Sequence, residues 1–404
     1  MKKRIFKCEG QLIDSGLLSL VLNTILSENC DYSIIKFNIG KKPDKDSELE
    51  VAVIAETEKE LSLLSDRLNK LGTYEEQVPS AQFKISDKDT HAPQDFYSTT
   101  NHRSEVFYKG KWHEVSAQRM DAVIVKKEND TFICTKLRDI KKGDAILCGG
   151  ESVRVYPPQI SRNKGGGFAF MDNDVSSERS GTIAVTRIAK KMKEIKAKKG
   201  KIVVVSGPVV VHTGGADALA SIVKKGYVRG FLGGNAVAVH DIESRFFGTS
   251  LGVNVKTGKL AEHGHNHHMK AINKIYGYGS IENAIQQGAL QEGLMYEIIT
   301  HHIPYCLAGS IRDDGPLPET VNDMIEAQDQ YATIIKDADM ILMLSTMLHS
   351  IGTGNMTPSN VITICVDINP AVVTKLSDRG TGQAIGVVSD VGLFLRTLDS
   401  QLHD

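Results

Sequence analysis

The residues of this chain that could do chemistry stand at the ends of apolar runs. Gly214-Gly215, in SGPVVVHTGGADAL, and Gly233-Gly234, in GFLGGNAVAVHDIE, each separate such a run from a segment with helical spacing. A strand-to-helix turn of this kind leaves unpaired backbone N–H groups at the positive end of a helix dipole, which suits a phosphate or a carboxylate. Glycine serves there because a Cβ would hold the ligand's oxygens off the backbone, and because the turns call for positive φ. Asn235 is placed to cap the helix beginning at Ala236-Val237. Ordinary tight turns of an α/β domain would use the same glycines, and the stretch is not a GxGxxG, so the common dinucleotide fingerprint cannot be claimed.

Acidic and basic groups follow the same rule. Asp367 ends the run VITICVD, where a carboxylate can accept hydrogen bonds from both hydroxyls of a ribose; a helix cap before Pro370 is the alternative. Asp313 and Asp314 follow the buried run IPYCLAG, at the strand end where α/β enzymes put ligand groups, although Asp-Asp-Gly-Pro is also a good turn. Arg103, in STTNHRSE, could clamp an amino acid's carboxylate with both arms of its guanidinium, or pair with an acid on a surface loop. For proton transfer the candidates are His212, His240, Asp313 and Asp314. His263, His265, His267 and His268 match no helix face and have no cysteine or paired carboxylate close by, so a polar loop or a helix start is expected there, and no metal.

The chain has 404 residues, enough for two or three domains with substantial cores. Its net charge of -1 offers no electrostatic attraction to nucleic acid or an acidic membrane. The opening MKKRIFKCEG turns polar too soon for a signal peptide, and no apolar run reaches membrane-span length, so a cytoplasmic protein is expected. The six cysteines lack CxxC spacing, which argues against a zinc ribbon or a disulfide framework and for reduced core residues.

Three regions should position these groups. Residues 1–90 read as β-α-β-β-α, with a capping box at Thr57 and Glu60 and AQFKIS as a possible last strand. That order suggests a ferredoxin-like α+β domain, a type that often binds small molecules or makes dimers. Residues 91–160 read as six short strands with turns at Lys109-Gly110, Asn129-Asp130 and Gly149-Gly150, a small β-rich domain. Residues 161–404 return to α/β punctuation, with Ile202 to Val205 as a strand buried on both faces of a parallel sheet. Within it, RNKGGGFAFM suits a hinge or a loop over a ligand, and Gly279 to His302 reads as one long helix. A further helix should run from about Glu319 to Lys336, before the strand MILMLS and the turn Thr346-Met347-Leu348-His349.

Residues 361 to 397, with VDINP and then SDV, resemble the nucleotide-binding half of the deoxyhypusine-synthase-like NAD/FAD-binding fold. The whole chain resembles the family named for the lysine-oxoglutarate reductase/saccharopine dehydrogenase conserved region. STTNHRSEV with GKW, SGPVVVHTGGADAL, GFLGGNAVAVHDIE, GHNHHMKAIN and LSTMLHSIGTGN carry that likeness. The family includes archaeal NAD-dependent ornithine cyclodeaminases and the C-terminal half of cyanobacterial arginine dihydrolase/ornithine cyclodeaminase, whose upstream guanidine-hydrolase domain has no counterpart in this sequence. The resemblance implies a Rossmann-like NAD domain and a redox-neutral conversion of L-ornithine to L-proline and ammonia, with hydride removed from Cα and later returned. A homo-oligomer is implied as well. NAD would touch Gly214, Gly215, Asn235, Ala236, Asp314, Thr346, Met347, Leu348, His349, Asp367, Asp390 and Val391. Asp314 is the expected base, since apolar cofactor surface would raise its pKa. The alternative makes Asp314 a ribose ligand and leaves proton transfer to a histidine such as His212. An amino-acid dehydrogenase that releases NADH, or a non-catalytic NAD sensor, would use the same fold. Deoxyhypusine synthesis is disfavoured because no lysine stands in a matching motif.

Overall fold

The computed structural model describes residues 2–13, 16–40, 45–75, 78–157, 177–254, 259, 266–313, 315–378 and 385–402. The chain divides into two compact units, Met1–Ala169 with Pro358–Asn360, and Phe170–Thr357 with Val361–Asp404.

In the first unit, β1 (Lys2–Gly10), α1 (Leu17–Ser27), β2 (Asp31–Asn38), β3 (Ser47–Ala55), α2 (Glu58–Lys70) and β4 (Tyr74–Glu75) follow one another. Their strands pair antiparallel in the order β2-β3-β1-β4, the ferredoxin-like arrangement. Both halves of the capping box form: Glu60 N donates to the Thr57 hydroxyl, and Thr57 N donates to the Glu60 carboxylate. Leu61, Leu64 and Leu68 of α2 pack on Phe6, Val51 and Val53 of the sheet.

The next strands are β5 (Gln82–Ile85), β6 (Arg103–Tyr108), β7 (Lys111–Ser116), β8 (Val123–Lys126), β9 (Phe132–Thr135), β10 (Ala145–Cys148) and β11 (Val153–Tyr156). They form one sheet in the order β11-β6-β7-β9-β8-β10-β5. The AQFKIS strand therefore belongs here, paired with β10, and not to the first sheet. The place beside β1 in the first sheet is taken instead by the two-residue β4, which pairs with Phe6 and Lys7.

The second unit is built on parallel strands. Its elements are α3 (Ser177–Ala197), β12 (Ile202–Ser206), α4 (Val209–His212), α5 (Ala216–Lys224), β13 (Gly230–Gly234) and α6 (Asn235–Phe247). The small pair β14 (Thr249–Ser250) and β15 (Val253–Asn254) precedes α7 (His267–Tyr278), α8 (Ile281–Gln286) and α9 (Leu294–Thr300). Then come β16 (Tyr305–Ala308), β17 (Thr320–Val321), α10 (Met324–Ile335), β18 (Met340–Leu344), α11 (Met347–Met356), β19 (Ile362–Asp367), α12 (Pro370–Asp378), β20 (Ile385–Val388) and α13 (Val391–Gln401). All seven sheet strands are parallel, in the order β17-β16-β13-β12-β18-β19-β20. Along β12 the side chains alternate between layers: Ile202 and Val204 join the cluster with α3, α5, α6, α9 and α13, while Val203 and Val205 join the one with α10 and α12. A strand covered on both faces needs no polar positions, hence its unbroken apolar run.

Two helices differ from the sequence reading. Gly279 to His302 is not one helix but two, α8 and α9, because Gly288 and Gly293 take φ of +72° and +120° between them. The buried carboxylate of Asp241 closes the second, accepting from Leu294 N at 3.1 Å and Met295 N at 2.8 Å. The helix expected from Glu319 starts five residues later, at Met324, capped by Asp323; Thr320 and Val321 form an edge strand instead. RNKGGGFAFM lies outside the described residues. No helix among the described residues is long and apolar enough to cross a membrane.

Candidate functional site

The parallel sheet reverses its direction of growth at β12. From β12 the chain adds β13, β16 and β17 on one side, then returns to place β18 on the other and continues through β19 to β20. The connections leaving β12 and β18 go to opposite faces, and such a switch point, at the carboxyl ends of the strands, is where α/β folds form their ligand crevice. Gly207 lets the two exits lie close together. Its N–H donates to Leu344 O at 2.9 Å, and a Cβ there would stand 2.2 Å from Ser345 O. Ser345 turns the chain from β18 into α11 with φ of +46°, a left-handed conformation costly for a residue with a Cβ and held here by Ser345 N donating to Val366 O at 2.9 Å.

The start of α11 faces open space. Thr346, at its N-cap, makes no side-chain capping bond, and Met347 and Leu348 are exposed. His349 sits in the same first turn with its Nδ1 3.0 Å from the Tyr331 hydroxyl, which donates to Gly233 O at 2.8 Å. Tyrosine has one proton to give, so His349 donates from Nδ1 and presents Nε2, which would meet a Cβ on Gly234 at 2.9 Å. Burial lowers the His349 pKa, with Asp313 acting against it, and favours the neutral ring.

Asn235 is the first residue of α6, not its cap; Gly234 holds the cap position without a side-chain bond. The buried Asn235 Oδ1 accepts from Leu317 N and Thr320 Oγ1, both at 3.0 Å, and so ties the segment after β16 to the end of β13. Ala236 beside it is half-buried. At the other end of the edge, Asp367 accepts from Asn369 N at 2.8 Å through Oδ1, and its Oδ2 has no partner among the described residues. Asn369 takes the capping bond, from Ala371 N at 3.0 Å, so Asp367 is not the cap of α12. Asp390 caps α13 through Leu393 N at 2.7 Å, and Val391 is buried.

Gly214-Gly215 does not follow a strand. The apolar run after Gly207-Pro208 is the single turn α4, and the glycine pair links it to α5. Gly214 has φ of +70°, whereas a Cβ on Gly215 would meet Leu395 Cδ1 at 3.0 Å and Gly392 Cα at 3.1 Å. The pair thus lets α13 approach. His212, at the end of α4, lies 2.7 Å from Ser250 Oγ through Nδ1 and packs edge-on against His240, with ring centroids 4.8 Å apart.

The carboxyl edge thus gathers Asn235, Ala236, Asp313, Thr346, Met347, Leu348, His349, Asp367, Asp390 and Val391. Asp313 accepts from Ser310 N at 2.8 Å, which shapes the loop after β16; Asp314, His263 and His265 lie outside the described residues. Arg103, in the first unit, is exposed on β6 and already paired with Glu114 at 3.0 Å and Glu105 at 2.7 Å. That is the surface ion pair foreseen as its alternative, and a substrate carboxylate would have to displace two acids from it. His267 bonds Thr249 Oγ1 at 2.9 Å and stacks on Phe247, and His268 lies 6.4 Å from His240. The sequence reading missed Gly207, Ser345, Tyr331 and Glu243. Only Glu243 had a local signal, its i+3 spacing from His240 in HDIE.

Three family models together match most of the chain. The LOR/SDH bifunctional enzyme conserved region matches residues 3–102, the C-terminal first region of arginine dihydrolase ArgZ-like proteins residues 103–185, and their C-terminal Rossmann fold residues 186–398. The ornithine cyclodeaminase of Methanocaldococcus jannaschii is 48% identical over 409 residues, covering 100% of this chain and 97% of that protein. The apo crystal structure of ArgZ, a cyanobacterial arginine dihydrolase of the ornithine-ammonia cycle, superposes with a TM-score of 0.87 at 42% identity. That match covers 99% of this chain and 58% of ArgZ. The ternary complex of AgrE with ornithine and NAD+ matches with a TM-score of 0.54 at 43% identity, over 99% of this chain and 57% of AgrE.

Proposed function

The chain belongs to the ArgZ-like C-terminal family with its LOR/SDH conserved region, and from that premise we propose that it is an NAD-dependent ornithine cyclodeaminase, converting L-ornithine to L-proline and ammonia. The observation that carries this reading is the topological switch point between β12 and β18, found in a chain that aligns end to end with a protein named for this activity. AgrE, which holds ornithine and NAD+ together, supports the pairing of substrate and cofactor.

The residues present fit NAD. The uncapped start of the ten-residue α11 offers N–H groups to a pyrophosphate. The Oδ2 of Asp367, two strands from β12 and without a partner among the described residues, suits a ribose hydroxyl, with Asp390 and Val391 toward the adenine. Ala236 leaves room at the start of α6, where a nicotinamide would end, and Asp314 is our proposed contact of that end, as base or as ribose ligand.

When bound, NAD supplies an acceptor that takes hydride from Cα and gives it back, so no cofactor is consumed. The chain's own residues must hold the substrate amines, exclude water that would hydrolyse an imine, and move protons between nitrogens. We place this activity in proline biosynthesis in the cytoplasm, carried out by a homo-oligomer.

Incubating the purified protein with L-ornithine and NAD+ while following NADH absorbance, proline and ammonia tests the reading. Proline and ammonia in equal amounts without net NADH are expected. Accumulating NADH would make it an amino-acid dehydrogenase, and NAD binding without turnover would make it a sensor.

A further inference from the structure

Behind the crevice, α6 carries Ala236, His240 and Glu243 at spacings of four and three residues, which puts them on one side of the helix. Ala236 lies at the crevice, and Glu243 is wholly buried. The Glu243 carboxylate accepts from His240 Nδ1 at 2.8 Å, Thr249 Oγ1 at 2.8 Å, Gly252 N at 3.2 Å and Leu251 N at 3.3 Å. Burial opposes its ionisation, but the bonds from His240, Gly252 and Thr249 outweigh that and hold it below the usual range. It is therefore an anion, and His240 donates to it from Nδ1. The open nitrogen of His240 is Nε2, with the rings of His212 and His268 as neighbours.

The reaction needs a shuttle and not a sink. Ornithine's two ammonium groups carry six N–H protons, and the ring ammonium of proline plus an ammonium ion carry the same six. Protons are only relocated, so a group that takes the α-ammonium's proton and returns it, with water serving the δ-nitrogen, suffices. His212 is poorly suited, since burial and the neighbouring His240 push its pKa down to about 4. His240 has a fixed anion behind it to match the charge of an imidazolium.

We propose, resting on the cyclodeaminase reading, that His240 exchanges the proton with the substrate's amine and that Glu243 is its positioning residue. In the first transfer an N–H bond of the α-ammonium breaks, its electron pair stays on nitrogen, and the proton bonds to Nε2. For ring closure the δ-ammonium first gives a proton to water and its nitrogen then attacks Cα; the closed ring nitrogen gives a second proton to water. The proton on His240 returns to the former α-amine, which leaves Cα as ammonia with the C–N electron pair, and water gives back one proton to the ring nitrogen of proline and one to ammonia. The titratable groups around the His240 ring, among the described residues, are Glu243 on its own helix, His212 on α4 and His268 on α7; His267 reaches the same carboxylate only through Thr249.

The test is kcat and KM for ornithine, with NAD affinity measured beside them, for the full chain and for His240→Asn, Glu243→Gln and His212→Asn. A lost general acid–base group lowers kcat by roughly 10²–10⁴, which is expected of His240→Asn with NAD affinity kept. Glu243→Gln takes away the charged acceptor that fixes the His240 ring, so kcat should fall while KM for ornithine and NAD affinity are kept. His212→Asn should lower kcat far less than His240→Asn. If Glu243→Gln does not fold, the contrast between His240→Asn and His212→Asn carries the test. Wild-type turnover with a fully active His240→Asn, or a folded Glu243→Gln with unchanged kcat, would overturn the proposal and leave the cyclodeaminase reading standing. A wild type that makes no proline would take down both.

Discussion

Gly214-Gly215 and Gly233-Gly234 look interchangeable in the sequence, and the structure uses them for different ends. Of the four, only Gly214 has positive φ, and a Cβ there would find open space apart from Arg396 Nη1 at 3.8 Å. Gly215 is a packing contact: α13 lies against it, and a Cβ on the facing Gly392 would come within 2.4 Å of Thr213 O. Gly233 and Gly234 are extended strand ends whose missing side chains leave room for Val237 and for the His349 ring. One pair lets a helix approach, and the other lets Val237 and the His349 ring close on the end of β13. A shared motif thus carries conformation at one residue, helix approach at the next, and side-chain packing at the last two.

Four substitutions would break or sharpen this contrast. The largest effect is expected of Ala236→Leu, which fills the start of α6; NAD binding should weaken more than a hundredfold, about 2.8 kcal/mol, with an unchanged melting temperature. Normal NAD titration in that variant would remove the β13 turn from the site. Asp367→Ala should forfeit charge-assisted hydrogen bonds of roughly 1.5–3 kcal/mol, or about ten- to a hundredfold in NAD affinity by calorimetry. Unchanged affinity would put the ribose elsewhere along the edge. Gly215→Val should do the reverse, losing ~1–3 kcal/mol of stability through overpacking against Leu395 and Gly392. Its NAD affinity should stay within twofold, and a large loss without a lower melting temperature would return this pair to the binding edge. Gly214→Ala is the mildest: a left-handed alanine costs ~1–2 kcal/mol, readable as a small drop in chemical-denaturation stability. Weaker NAD binding by the folded variant would contradict its assignment to conformation alone.

Local rules carried much of the fold. Periodicity, the Thr57 capping box and the β-branched run at Ile202 to Val205 each depend on a few neighbouring residues, and each is present as read. The long helix at Gly279 to His302 failed on a local rule competing with another: its apolar stripe is real, since Ile281, Ala284, Leu290, Leu294 and Ile298 are all buried, but two glycines outweigh it. The site was legible where a residue ends a strand, as Asp367 does, because parallel sheets put strand ends on one edge. It was illegible where a partner comes from far along the chain. Tyr331 reaches Gly233 across 98 residues, and neither stretch carries a mark of the other.

By itself, then, the sequence determined most of the strands and helices, that the second half is a parallel α/β unit, and that Gly233-Gly234 and Asp367 end two of its strands. Only the tertiary structure decided that β18 returns to the flank of β12, that Gly215 serves α13, that Asn235 ties down a loop instead of capping a helix, and that Glu243 stands behind His240. The physical reason is one of range: helix and strand preferences are set by contacts within a few residues, whereas strand order and buried polar pairing are settled by packing energies summed over the whole sheet.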